Sequence, residues 1–125
     1  MAIGVKGIGV DLCDVDRMRV ALARTPTLRD RVFTAAEQAY CDARTDPSER
    51  YAARWAAKEA VLKAMGAGGW ACRWSEIEVA RAESGAPSVI LHGAAKELAS
   101  DRGITRWLLT MTHTHRVAEA IAVAL

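Results

Sequence analysis

The sequence predicts a single α+β domain over residues 1–125, in which a mostly antiparallel sheet of about five strands packs against one long central helix and shorter helices. Three observations lead to this class. A long helical pattern, apolar around most of its circumference, occupies the middle of the chain. Short runs rich in Val, Ile and Leu lie on both sides of it, and turn signals separate those runs. A length of 125 residues also suits one domain.

The first predicted element is a strand over residues 3–12, which is rich in Ile, Val and Gly. Because glycine weakens an ordinary strand, these glycines predict that another backbone approaches closely. Residues 14–24 follow with a helical pattern that starts at two aspartates, where the helix dipole favours anions, and carries three arginines. Pro26 ends this helix.

Capping signals predict two helices in the middle of the chain. A Thr-x-x-Glu capping box at residues 34–37 opens a short helix that ends near residue 44. An Asp-Pro pair at residues 46–47 supplies the N-cap and the first residue of the long central helix. This helix runs to about residue 65, where the glycine-rich segment 66–69 stops it.

The second half of the chain alternates between strands and one helix. Residues 77–82 and 88–93 flank a turn that contains Gly and Pro, which predicts a β-hairpin. Residues 94–102 form a short helix. Residues 107–113 and 117–125 are two further strand candidates, although the alanines of the last segment fit a helix equally well.

The charges of the central helix need an explanation, because a helix that is apolar nearly all round tends to be buried. Glu59 and Lys63 share one face in the favourable order, and Arg54 and Lys58 form a second pair about a right angle or more away. One interpretation is an exposed salt bridge worth only about 0.3–0.5 kcal/mol. The other is a partly buried site, in which an anionic ligand and a bridging metal balance the charges.

Asp11 is the second chemical candidate, since it follows a run of apolar residues and glycines in the first strand. Either Asp11 is a metal ligand, or Asp14 or Asp11 simply caps the following helix. Together with Glu59, Asp11 would bind Mg²⁺, an ion that is often held by one or two carboxylates and substrate phosphates. The sequence does not establish that these two acids meet.

Hydroxyls and imidazoles form a third cluster near the end of the chain. On a strand, Thr110 and Thr112 share one face, and His113 and His115 share another. These groups suit contacts with a phosphate, but they also suit a half-exposed strand end without chemistry.

Composition excludes several classes. A net charge of +2 is too small to argue for nucleic acid. The three cysteines form no C-x-x-C pair, which argues against a disulfide framework or a zinc site and favours a cytoplasmic location. We find no apolar run of the roughly 18 residues that a membrane span needs, and no signal peptide pattern, so no membrane association is expected.

Three blocks in this order are characteristic of a known family. They are Gly7–Leu12 followed by Arg17, then residues 54–66, which read RWAAKEAVLKAMG, and finally Thr110–His113. The chain resembles the holo-acyl-carrier-protein synthases, the small single-domain branch of the 4′-phosphopantetheinyl transferases, and the match covers nearly the whole chain. The block around Lys58 and Glu59 is the most specific of the three.

The resemblance implies the 4′-phosphopantetheinyl transferase fold and a known reaction. Coenzyme A donates its phosphopantetheine arm to a serine of an acidic apo acyl carrier protein, and 3′,5′-ADP leaves. Mg²⁺, with Mn²⁺ as the alternative, bridges the pyrophosphate. Family members of this size are homotrimers in which each coenzyme A site lies between two subunits.

The resemblance also implies roles for particular residues. Asp11 and Glu59 hold the metal, and Lys63 contacts the pyrophosphate, so that these three form the catalytic group. Coenzyme A is bound by Arg54, Lys63, Gly66, Pro87, His113 and Thr114. Arg17 and Arg24 on the first helix face the carrier protein. The proton of the serine goes either to Glu59 or to water on the metal.

This sequence departs from the family at a few positions. Thr110 and Thr112 replace serines and keep the hydroxyls, while Leu62 stands where some members carry a small polar residue beside the phosphate. Two other functions are therefore considered. A binding module would hold coenzyme A without releasing 3′,5′-ADP, and a Mg²⁺-dependent hydrolase would cleave coenzyme A without any carrier.

Overall fold

A computed structural model describes residues 4–125 of the chain. The elements in order are β1 (Gly7–Asp14), α1 (Val15–Arg24), α2 (Leu28–Val32), α3 (Ala35–Asp42), α4 (Pro47–Ala64), a 3₁₀ turn (Trp74–Glu76), β2 (Ile77–Arg81), β3 (Pro87–Leu91), α5 (Gly93–Asp101), β4 (Trp107–His113) and β5 (Val117–Ala124). Within this range, no helix is both long and apolar enough to cross a membrane. The α+β class with one long central helix is confirmed.

The five predicted strands are present and every pairing is antiparallel, but they form two sheets rather than one. β1, β5 and β4 make a three-stranded sheet in that order, and β2 pairs only with β3. In the larger sheet, Asp11 lies opposite Ala120, which in turn lies opposite Met111 on β4. The second sheet is the predicted hairpin, and it forms a separate wall beside α4.

The last segment is a strand, although its alanines fitted a helix equally well. β5 lies between β1 and β4 and pairs with both over most of its length. Its buried alanines alternate with partly exposed residues, and they are Ala118, Ala120, Ala122 and Ala124. Tertiary pairing has therefore overridden the helix propensity of alanine.

The first strand differs in its bounds from the prediction. It begins at Gly7 rather than at residue 3, which lies outside the described residues, and it continues to Asp14. Asp14, not Asp11, caps α1, because its carboxylate accepts the amide of Arg17 at 3.0 Å. Asp11 thus lies inside the strand, and its alternative role as a helix cap is wrong.

A short helix, α2, was not predicted. It has only five residues, and its N-cap Thr27 makes no side-chain capping hydrogen bond. A segment of this length shows too little periodicity to be recognised, and the preceding Pro26 favours a turn.

The contact between α4 and β1 explains the glycines of the first strand. A Cβ built on Gly9 would lie 1.9 Å from the carbonyl oxygen of Ala60, and one built on Gly7 would lie 1.8 Å from that of Ala64. The predicted close approach of another backbone is confirmed. The small residues of β1 and β5 let the helix lie directly against the sheet.

Replacing Gly9 by alanine should therefore destabilise the fold by about 2 kcal/mol or more, because the backbone of α4 has no room to move away. Urea unfolding followed by circular dichroism measures this loss. Gly4→Ala is the matched control, since nothing lies within 4 Å of the added Cβ. Equal stability of the two variants would contradict the close packing of α4 on β1.

Candidate active site

Asp11 on β1 and Lys63 on α4 form an ion pair at the edge of the helix–sheet contact. The Lys63 ammonium donates to the Asp11 carboxylate at 2.9 Å and to the carbonyl oxygen of Val10 at 3.1 Å. The Lys63 side chain is half exposed, whereas that of Asp11 is 19% exposed. Among residues 4–125, Lys63 makes no ion pair with Glu59, so the helical pair expected from sequence is replaced by a contact across elements.

Glu59 lies close enough to Asp11 to be affected by its charge. The pKa of Glu59 is raised above its ordinary value, chiefly by burial and then by the negative charge of Asp11, while the ammonium of Lys63 opposes the shift. Two carboxylates that repel each other beside the half-exposed Lys63 form a suitable site for a further cation.

This pair of acids fits a Mg²⁺ ion. Within the described part of the chain, no group of three or more His, Cys, Asp and Glu side chains is arranged to hold a metal. Asp11 and Glu59 would supply two carboxylates, and waters or substrate oxygens would complete the coordination, as is common for Mg²⁺. A divalent cation would also relieve the repulsion between Asp11 and Glu59.

A second part of the candidate site is a cavity of about 220 Å³, which we call the arginine pocket. It lies between α4, the β2–β3 hairpin and β4. Its lining residues are Arg50, Ala53, Arg54, Arg81, Pro87, Thr110, Met111 and His113. Arg54, Pro87 and His113, which were expected to bind coenzyme A, thus come together in one cavity.

Tyr40 on α3 organises the arginines on one side of this pocket. The guanidinium carbon of Arg54 lies 4.1 Å from the centre of the Tyr40 ring, and that of Arg81 lies 5.0 Å from it. Arg54 is 2% exposed, and its Nε has no hydrogen-bond partner within the described residues. Cationic donors held in a cavity without an internal carboxylate partner favour an anionic ligand such as a phosphate.

Sequence reasoning missed Arg50 and Arg81 as members of this pocket. Arg50 precedes Arg54 by one helical turn, a spacing that indicates a shared face. Arg81 lies opposite Pro87 in the hairpin register. The helical spacing was available from sequence, whereas the position of the hairpin against α4 was not.

His113 closes the pocket from β4. Its Nε2 contacts the guanidinium of Arg50, and its Nδ1 lies 3.5 Å from the carboxylate of Glu49. Glu49 also contacts His115, at 2.5 Å. The two histidines therefore share a buried carboxylate rather than standing alone at a strand end.

Three residues that were expected to bind coenzyme A do not line the arginine pocket. Lys63 lies beside Asp11 instead, and the other two are Thr114 and Gly66. Thr114 lies in the turn after β4, where its hydroxyl accepts the amides of Arg116 and Val117. Gly66 follows α4 with a φ of +68°, which suits a helix C-cap. Both remain expectations from the family resemblance.

Arg17 and Arg24 lie on α1, which follows β1 directly and does not line the arginine pocket. Arg17 lines a groove of about 270 Å³ whose other walls are mostly apolar, and they include Leu12, Met18, Leu28 and Trp55. Arg17 and Arg24 together line a shallower groove along the same helix. This surface combines apolar area with positive charge.

Lys58 has an internal partner, contrary to the expectation that an anionic ligand would balance the charges of α4. Its ammonium is fully buried and donates to the carboxylate of Glu37 at 2.8 Å. Burial lowers the pKa of Lys58, and the charge of Glu37 opposes this shift. Lys58 is thus part of the core and not of the ligand site.

Comparison with known proteins bears on these features. The sequence profile of the 4′-phosphopantetheinyl transferase superfamily matches residues 7–120. A holo-[acyl-carrier-protein] synthase of Desulforudis audaxviator is 47% identical over 121 residues, which cover 96% of this chain and 92% of that protein. The resemblance inferred from the sequence blocks is confirmed.

Solved structures agree with this match. The holo-[acyl-carrier-protein] synthase of Neisseria meningitidis superimposes with a TM-score of 0.87 at 27% identity, covering 98% of this chain and 99% of that one. The ACPS–CoA complex of Chronobacterium ammoniagenes gives a TM-score of 0.83 at 26% identity, covering 98% and 97%.

The raised pKa of Glu59 predicts a pH-dependent stability difference. A carboxyl whose pKa is raised on folding stabilises the fold below its unfolded pKa, ordinarily 4.5, and loses this contribution as the pH rises through the folded value. Glu59→Gln should therefore raise the Tm at neutral pH in the presence of a chelator, with the gain vanishing below about pH 4. Thermal melts at both pH values measure this, and an equal gain at both would contradict it.

Proposed function

The chain belongs to the holo-acyl-carrier-protein synthases of the 4′-phosphopantetheinyl transferase superfamily, and we propose that it transfers the 4′-phosphopantetheine arm of coenzyme A to a serine of an apo acyl carrier protein. The observation that carries this proposal is the cluster of Asp11, Glu59 and Lys63 where α4 crosses β1. The reaction releases 3′,5′-ADP and depends on Mg²⁺, with Mn²⁺ as the alternative.

Asp11 and Glu59 would hold the metal ion. When bound, the ion would supply positive charge to the pyrophosphate oxygens, on which negative charge develops as the bond to the leaving nucleotide breaks. Phosphoryl transfer needs positioning and charge neutralisation more than covalent help, and two acids on neighbouring elements meet that need.

Lys63 provides a second positive charge beside these acids. Its ammonium is half exposed and is held by Asp11 and the backbone of Val10, so it can turn toward a phosphate without leaving the site. Its pKa is raised by the contact with Asp11, which keeps it protonated. We assign to it the contact with the pyrophosphate.

Glu59 is our candidate for accepting the proton of the carrier serine. A general base must lie within reach of the proton that it accepts, and a water held by the metal ion is the alternative acceptor at this site.

The arginine pocket suits the nucleotide end of coenzyme A. Arg50, Arg54 and Arg81 can donate to phosphate oxygens, and Pro87 offers an apolar surface on the hairpin wall. We assign the adenosine phosphates of coenzyme A to this pocket, with Gly66 and Thr114 as further contacts implied by the family. A ligand of this kind would supply the anionic partner that Arg54 lacks among residues 4–125.

The surface of α1 suits an acidic carrier protein. Arg17 and Arg24 lie along one face of this helix, next to an apolar groove. Complementary charge mainly speeds and orients an encounter, while apolar burial adds affinity. A cytoplasmic location fits the free thiols of Cys13, Cys41 and Cys72.

A homotrimer with sites between subunits is part of the proposal. The face of the larger sheet that points away from α4 exposes Ile8, Val10 and Leu12 on β1 and Leu108 on β4, each more than half exposed. A contiguous apolar face of this kind is typical of a protein interface. In one chain, Asp11 and Glu59 do not line the arginine pocket, so a neighbouring subunit would complete each site.

Asp11→Asn should lower the rate of transfer by about 100-fold or more, because it weakens the binding of the ion that neutralises the pyrophosphate. The assay incubates apo acyl carrier protein, coenzyme A and Mg²⁺, and follows the carrier by mass spectrometry. Asp101→Asn, at the exposed end of α5, is the matched control and should leave the rate unchanged.

The same assay separates the alternatives. Full activity of Asp11→Asn would contradict the metal assignment. Coenzyme A that binds without release of 3′,5′-ADP would indicate a binding module, and coenzyme A that is cleaved without any carrier would indicate a hydrolase.

Val10→Lys should dissociate the trimer, because it places a charge on the apolar sheet face. Sedimentation velocity measures the mass, and the transfer assay should show a parallel loss of activity. Ile90→Lys is the control, since Ile90 is also an exposed apolar residue but lies on β3. A parent protein that sediments as a monomer would contradict the assembly.

A further inference from the structure

We propose that the buried ion pair between Lys58 and Glu37 is a positioning device for the arginine pocket, fixing the β2–β3 wall against α4 at the spacing that the nucleotide end of coenzyme A requires. This role rests on the proposed function. Neither residue touches the pocket, so each would act through the elements that it joins.

The pair joins three elements through a saturated set of hydrogen bonds. The Lys58 ammonium on α4 donates to Glu37 on α3, to the carbonyl oxygen of Trp74 at 3.1 Å and to that of Ile77. The other Glu37 oxygen accepts the amide of Val79 on β2 at 2.9 Å. β2 is therefore fixed at two points, one by each member of the pair.

Two of these elements, α4 and β2, line the arginine pocket, and Tyr40 on α3 contacts Arg54 and Arg81 from behind. Tyr40 follows Glu37 by one turn of α3, and Arg54 precedes Lys58 by one turn of α4. Arg81 follows Val79 by two residues on β2 and donates to the Tyr40 hydroxyl. The ion pair thus lies directly beside the pocket wall, in the same region where α3, α4 and β2 pack together.

Stability alone is a poor explanation for such a pair. Both side chains are 0% exposed, and removing two charges from water costs about as much as their attraction returns. Replacing a buried ion pair with apolar residues is often neutral for stability. A change in the spacing or angle between β2 and α4 at the ion pair, however, would move Arg81 and Pro87 relative to Arg54. The pair therefore matters most for the geometry of the pocket.

The test is the double variant Glu37→Met with Lys58→Met, which removes both charges and keeps similar chain lengths. We expect it to unfold cooperatively. Its Kd for 3′,5′-ADP, measured by titration calorimetry, should rise about tenfold, and its KM for coenzyme A should rise similarly while kcat changes by less than about threefold.

Ile104→Ala is the matched control for lost stability. Ile104 is buried in the main core but does not line the arginine pocket. The Ile104→Ala variant should lower the Tm at least as much as the double variant does, and it should leave the Kd for 3′,5′-ADP unchanged. A purely structural role of the ion pair would move both variants in the same way.

Unchanged Kd and KM in a folded double variant would overturn the positioning role and leave the proposed function intact. Should the double variant not fold, the single variant Glu37→Gln tests the role instead. It keeps a side-chain oxygen that accepts from the Lys58 ammonium but replaces the oxygen that accepts from the Val79 amide. If the Kd of Glu37→Gln for 3′,5′-ADP is at least threefold higher than that of the parent, a loss of about 0.6 kcal/mol of binding free energy at 25 °C, the positioning role is supported. A Kd equal to that of the parent overturns it. A parent that binds 3′,5′-ADP but transfers nothing overturns the proposed function alone.

Discussion

The direct contact of α4 with β1 and β5 determines where the charged groups of the site lie. Gly7 and Gly9 leave no side chain between the strand and the helix, and the alanines of β5 fill the remaining space. Because the two backbones touch, Asp11 on the strand comes within hydrogen-bond distance of Lys63 on the helix. A larger residue in β1 would separate these groups, so packing in the core and the chemistry at its edge have the same origin.

The charges of α4 are stabilised in three different ways around one helix. Lys58 is buried and paired within the chain, Arg54 lies over the ring of Tyr40, and Glu59 and Lys63 face Asp11 at the edge of the sheet. Only the last two arrangements leave capacity for a ligand. This distinction explains why residues 54–63 of a helix that is apolar nearly all round can carry four charged groups without placing an isolated charge in the core.

Helix starts were predicted correctly from short capping motifs, because they depend only on neighbouring residues. The capping box at residues 34–37 and the Asp-Pro start at 46–47 both mark observed helix starts, since caps involve only neighbouring backbone groups. The division of the strands into two sheets, the partner of Lys58 and the position of Arg81 depend instead on how distant elements pack together. The sequence of one chain contains no signal for contacts between residues that are far apart in it.

The two halves of the candidate site lie on different faces of α4, and this separation bears on the assembly. Lys63 of α4 contacts Asp11 of β1, whereas the arginine pocket faces the hairpin and β4. Coenzyme A carries a pyrophosphate next to its nucleotide, so one molecule must satisfy both halves within a short span. A second subunit packed on the apolar sheet face would bring its own acids or its own pocket to the first chain. In the proposed assembly, a neighbouring copy would cover both the exposed Ile8, Val10 and Leu12 and the open side of the arginine pocket.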